Sequence, residues 1–221
     1  MRIIYVLFLL LVLVIFGGGN VLGKNADILY YVVILAIGVG GAYYAFWFKK
    51  FAQKVNALLP LIETEPDTYI AETEKLLEGR LPTNIRSMLI MNIAVAYMEK
   101  NDFITAKQKL KRINSGALKK ANGAVYFLNL AYVLIHLGEN ESAMEIIKKY
   151  KKRILSLPMG GNLPRLIAFV QIFEAMQEGK WAEANEKMKS SKESWPDRVT
   201  GVDFSFLEAQ LAKHENADKE I

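Results

Sequence analysis

Two uncharged apolar stretches, Ile3 to Phe16 and Ile28 to Phe48, open the chain, and nothing later in it resembles them. The second runs for about 21 residues without a charge. At a helical rise of about 1.5 Å per residue it covers a hydrocarbon core of roughly 30 Å, so it reads as a membrane span. The first holds about 14 strongly apolar residues and reaches spanning length only by running on through Gly17, Gly18, Gly19, Asn20, Val21 and Leu22. The gap from Gly23 to Asp27 is short, as at the tip of a helical hairpin. Spans are therefore expected at about 3–22 and 28–48. Arg2 before a short apolar core, with Val21-Leu22-Gly23 as a permissive cleavage site, also fits a secretory signal peptide. The hairpin is preferred because a second span follows at once. Lys49, Lys50 and Lys54 stack after the second span while Lys24 stands alone at its other end, which orients the C-terminal part toward the cytoplasm. The expected location is the cytoplasmic membrane, as a multi-pass protein.

Amphipathic aromatics mark both ends of the second span, Tyr30 and Tyr31 at one and Tyr43, Tyr44 and Trp47 at the other, where rings favour the headgroup region. Within it Ala36/Gly40, Gly38/Ala42 and Gly41/Ala45 place small residues four apart, which lets another helix approach closely. That face is expected to pack against the first span, with a homo-oligomer or a membrane partner as the other readings.

About 170 residues remain after Phe48, one domain's worth. The chain has no cysteine, which excludes disulfides, thiolate catalysis and cysteine zinc sites and agrees with a reducing compartment. A net charge of +5 and a pI near 9.2 suit a surface close to anionic headgroups. They are too mild to imply nucleic-acid binding without a supporting motif, and none is present.

Sustained period-two alternation is missing from this remainder, so it is predicted to be all-α. Aligned on alanines that follow a turn, Ala71, Ala106, Ala143 and Ala184, it repeats at 35, 37 and 41 residues. The clearest copy is Ile90, Ile93, Ala94, Tyr97, then Asn101-Asp102-Phe103, then Ala106 and Leu110. The next runs Phe127, Leu130, Ala131, Leu134, Gly138, Ala143, Ile147, and a third Ala168, Ile172, Ala175, Gly179, Trp181, Ala184, Met188. Gly138 and Gly179 can take positive φ at a helix end and Asn101 tolerates it, while the alanines leave room for a facing helix. Phe51, Val55, Leu58 and Leu59 are expected to prolong the second span, and Asp67 to cap a helix carrying Ala71, Leu76 and Leu77. Val202 to Ala212 reads as an unpaired capping helix, with a frayed polar tail over 213–221.

Over residues 67–212 the chain resembles the tetratricopeptide repeat family, with a juxtamembrane helix and linker at 49–66. It departs from that family in its longer spacing, in the Met-Gly-Gly-Asn loop at 159–162 and in Ile172, where a small residue is usual. A less regular helical solenoid is the alternative. The resemblance implies three to four helix pairs and a concave groove lined by first helices, which puts Met88, Met91, Asn92 and Val95, then Val125, Leu128, Asn129 and Tyr132, then Leu166, Phe169, Val170 and Phe173 inward. None is basic, against a receptor for terminal carboxylates. Such a lining suits an apolar segment or amphipathic helix. The alternative is that these side chains fill a tightly wound core.

Catalytic and metal-binding constellations are missing: the glycine runs lie in membrane segments, His136 reads as structural, and His214 lies in a polar tail without further ligands. No cofactor is expected. The densest charge run is Lys148, Lys149, Lys151, Lys152 and Arg153, preceded one repeat earlier by Lys107, Lys109, Lys111, Arg112, Lys119 and Lys120. These cations complement a helix C-terminus or meet anionic headgroups or an acidic partner. The expected function is a membrane-anchored adaptor without enzymatic activity, or an accessory subunit of a membrane complex held through its transmembrane helices.

Overall fold

The computed structural model describes residues 26–118, 120–158, 160–195 and 202–219. The first predicted span, its alternative cleavage site and Lys119 lie outside them. Every regular element among the described residues is helical. The chain divides into two compact units, 1–57 and 58–221.

In the first unit, α1 runs unbroken from Ala26 to Leu58. Its 33 residues span about 50 Å. An 18-residue window has a mean hydropathy of 1.7 and none of it is buried, so this helix is long and apolar enough to cross a membrane. Past Phe48 the helix continues through Lys49, Lys50 and Lys54, as the pattern of Phe51 and Val55 predicts. Trp47 stacks on Phe51 at 5.4 Å and lies 6.0 Å from Tyr44, a ladder of rings three and four residues apart on one face.

The second unit opens with a turn at Leu59–Pro60 and the short helix α2, Leu61–Thr64. Helix α3 is Pro66–Leu77. Asp67 does not cap it: Glu65 is the cap and Asp67 sits in the first turn. The reason is Pro66, whose fixed φ and missing N–H suit the first helical position and move the boundary two residues upstream.

Three helix pairs follow: α4 (Thr83–Glu99) with α5 (Phe103–Lys111), α6 (Lys120–His136) with α7 (Asn140–Leu155), and α8 (Leu163–Gln177) with α9 (Trp181–Ser194). Their turns are the same structure built three times. Asn101, Gly138 and Gly179 take φ of 58°, 73° and 71°. The N–H groups of Asp102, Glu139 and Lys180 reach back to Tyr97, Leu134 and Ala175 carbonyls, each at 2.9 Å. Those of Asn101, Gly138 and Gly179 donate to Met98, Ile135 and Met176. This double closure satisfies the last carbonyls of the first helix. The carbonyls of Asp102, Glu139 and Lys180 then accept from Ala106, Ala143 and Ala184 at 3.0 Å, so the second helix starts at once. Those three alanines are completely buried, as are Ala94 and Ala131 across the pairs, because a larger side chain there would wedge the helices apart.

Each first helix packs on the next first helix (α4 on α6, α6 on α8), and each second helix packs on the first helix that follows. Helix α3 packs on α4 in the same way, taking the place of a second helix in a preceding pair. The last helix, α10, is Ser205–Lys219 and packs on α8 and α9. It starts later than Val202 because Asp203 accepts from the Ser205 N–H at 2.9 Å, and it continues past His214, which stacks on Trp181 at 3.8 Å. The fray expected from His214 onward is therefore corrected to helix as far as Lys219.

Candidate interaction surfaces

The first-helix residues expected to line an open groove are mostly interior. Met91, Leu128, Asn129, Tyr132, Phe169 and Phe173 are buried, as are Leu166 and Val170, while Met88, Asn92, Val95 and Val125 are half-buried. The cover comes from the chain itself. The Asp203 N–H lies 3.4 Å from the Tyr132 hydroxyl oxygen that accepts it, the Phe204 ring is 6.0 Å from Phe169, and Phe206 is 4.9 Å from His136. At the start of α8, the Asn162 amide donates to Glu63 of α2 at 3.4 Å, across 99 residues. The Tyr69 hydroxyl faces Thr73 of its own helix and Asn92 of α4 without completing a hydrogen bond. The groove expectation is thus corrected: these apolar side chains bury one another and the late segment from Val202, at about 1.5–3 kcal/mol for each large side chain removed from water.

At the centre of that interior is an aromatic cluster that periodicity alone did not reveal. Phe103, at the start of α5, stacks flat on His136 at 4.2 Å, and Phe169 lies near-parallel to His136 at 5.4 Å, with Tyr132 edge-on to His136 and Phe169. Burial holds the His136 pKa down to about 4, against a smaller upward pull from Asp203. Burial likewise pushes the Tyr132 hydroxyl above its ordinary range. Phe103–His136 and Trp181–His214 are the same contact two modules apart: a ring opening a second helix stacks on a histidine 33 residues later. That shared spacing was the available sequence signal.

The basic run divides by pairing. Lys151, itself 49% exposed, pairs with the buried Glu174 at 2.8 and 2.9 Å. Lys148, Lys149, Lys152 and Arg153 are exposed on the outer face of α7. Lys149 and Arg153 lie 5.6 and 5.8 Å from the Tyr150 ring, which stacks on Phe127 at 3.4 Å. One module earlier, Lys107 and Lys109 do not form a free surface: they pair with Glu139 and Glu74 and tie α5 to its neighbours.

Among the described residues, two clefts of several hundred Å³ lie on the surface. One, of about 330 Å³, has Leu77, Ile90 and Ile93 as its apolar lining, with Glu74, Glu78, Arg86, Lys109 and Arg112 around them. Arg86 is braced on the Gly79 carbonyl at 3.0 Å and Lys109 on Glu74 at 2.7 Å. The other, of about 390 Å³ between α8 and α9, includes Ala168 and Ser191. When Gly138 and Gly179 are superposed in register, those two positions match Phe127 and Tyr150, whose stacked rings fill the same notch in the middle pair.

On α1, Ala36, Ala42 and Ala45 are exposed, and a Cβ added at Gly38, Gly40 or Gly41 would meet nothing within 4 Å. Among the described residues no group of three or more His, Asp or Glu is placed to hold a metal ion. Compared with known protein families, curated proteins and solved structures, the chain shows no match.

Proposed function

We propose that this protein is a membrane-anchored adaptor without enzymatic activity. In this reading, α1 and a second crossing at about residues 3–22 hold a cytoplasmic, tetratricopeptide-like stack of helix pairs that binds a protein partner. The observation that carries it is α1: an unburied apolar helix that runs without a break into Lys49, Lys50 and Lys54. Bases on that side favour a cytoplasmic face. The thrice-repeated turn supports the repeat assignment, since antiparallel pairs closed by one glycine or asparagine are the unit from which such stacks are built.

With the first-helix face covered, the partner site falls on the cleft between α3, α4 and α5. Its apolar lining accepts a leucine- or methionine-sized anchor, and the braced charges of both signs suit an amphipathic helix that carries both. A second reading, an accessory subunit held through its membrane helices, is favoured by the uncovered small-residue face at Gly38, Gly40 and Gly41.

Purification of the full-length tagged protein from its native cells in mild detergent, with identification of what accompanies it, separates the two. Glu78→Lys with Arg112→Glu reverses exposed charges at the cleft and is expected to release the partner. Retention there, with loss in Gly38→Leu/Gly41→Leu, would move the function into the membrane. No partner with any form would overturn the adaptor reading.

A further inference from the structure

The outer face of α7 gathers four exposed bases within its last two turns. On the other second helices most lysines pair with carboxylates, Lys107 with Glu139, Lys109 with Glu74, Lys187 with Glu183 and Lys192 with Glu208, and only Lys111 and Lys189 are exposed without an ion pair to a described carboxylate. Lys148, Lys149, Lys152 and Arg153 form no ion pair with a described carboxylate. At about 100° per residue, Lys148, Lys152 and Leu155 share one line along the helix, and Lys149 and Arg153 the adjacent line. Leu155 is 48% exposed, an uncovered apolar side chain set among the bases. Tyr150, fixed by its stack on Phe127, holds the stems of Lys149 and Arg153 on the same side.

The acids that face this patch are few. Glu141 and Glu145 lie on the same outer side toward the start of α7, and Glu178 is held below its usual value chiefly by Lys180, with smaller pulls from Lys151 and Lys148. The positive field is thus concentrated in the last two turns, where the helix C-terminus also favours cations.

We propose that this face, Lys148, Lys149, Lys152 and Arg153 around Leu155, docks onto anionic lipid headgroups and holds the compact unit against the membrane. The proposal rests on the membrane-anchor reading. Charge complementarity selects an acidic surface. The exposed leucine selects a bilayer over an acidic protein, because basic stems that snorkel around an inserting apolar side chain are the interfacial pattern. Tethering assists, because linkage to a membrane helix raises the effective concentration of the lipid surface. Each base adds about fivefold to surface affinity, so the four together give at most several hundredfold.

The chain has no cysteine, so Ser142→Cys on the exposed side of α7 supplies a single labelling site. Full-length protein carrying a fluorophore there is reconstituted into vesicles of neutral lipid, or of neutral lipid with about one third anionic lipid, each with a headgroup acceptor dye. Energy transfer is expected to be strong only on the anionic vesicles. It should be lost at about 1 M salt and lost when Lys148, Lys149, Lys152 and Arg153 are all changed to Gln. Circular dichroism and vesicle flotation check that this variant is folded and inserted. Equal transfer on both vesicle types, with protein that floats, overturns the docking proposal alone. A response only to added polyglutamate reassigns the face to an acidic protein. Failure of the wild-type protein to float removes the anchor and the docking proposal together.

Discussion

Replacing Gly138 by alanine isolates the backbone requirement on which the helix pairs depend. Its φ is +73°, and an added Cβ would meet no atom within 4 Å, so the cost contains no clash with neighbours. What remains is the left-handed conformation, about 1–2 kcal/mol for a residue with a Cβ. Against it stands the reduced freedom of the unfolded chain, about 0.4–1 kcal/mol in favour of alanine. The net expectation is a loss of about 1 kcal/mol. For a unit of this size that lowers the melting temperature by about 2–4 °C. Gly179→Ala, at φ +71° and equally unobstructed, should behave alike, and the double variant should lose about 2 kcal/mol because the turns belong to separate pairs. Gly160→Ala is the control, since it too meets nothing within 4 Å but has no positive φ. Asn101→Gly, which relieves φ +58°, should raise the melting temperature slightly. The assay is thermal unfolding of the full-length protein in mild detergent, followed by far-UV circular dichroism. If Gly138→Ala melts no lower than Gly160→Ala, the turn is not held in the left-handed region and the repeat geometry described above is incorrect.

His136 makes stability pH-dependent. The unfolded ring takes up a proton near its ordinary pKa of 6.5 and the folded one only near 4, so stability is full above about pH 6.5 and drains away as pH falls toward 4. Discounted for the ring's partial exposure, the loss is about 2 kcal/mol. His136→Phe should flatten this dependence, and an unchanged slope in pH-resolved melting would count against the buried neutral ring. Lys151→Met leaves the Glu174 carboxylate buried without its partner and should cost about 1–3 kcal/mol, whereas Lys151→Met/Glu174→Leu should recover most of that. Equal melting temperatures for Lys151→Met and Lys148→Met would refute the pairing of Lys151 with Glu174.

Much of the helical order was legible because its signals are local. Positive φ at a helix end admits glycine and tolerates asparagine, so Asn101, Gly138 and Gly179 announced their turns. The following alanines announced how closely the second helices approach. The binding surface was not legible. Helices α4, α6 and α8 are apolar on nearly every side, and such a helix carries no periodic record of which side faces water. Lysines posed the same difficulty: Lys148 and Lys151 are alike in sequence, and only the arrival of Glu174 from α8 gives one of them an ion-pair partner.

The sequence by itself determined where the long apolar helix gives way to charge, where the chain reverses and which small residues let helices meet, since each depends on a residue and its near neighbours. Tertiary structure alone decided that the Tyr132–Phe169 face is closed, because the segment from Val202 to Phe206 that covers it comes from far along the chain. It also decided that α7 turns Lys148, Lys149, Lys152 and Arg153 outward without an ion pair to a described carboxylate, because ion pairing depends on which carboxylates other helices bring within reach.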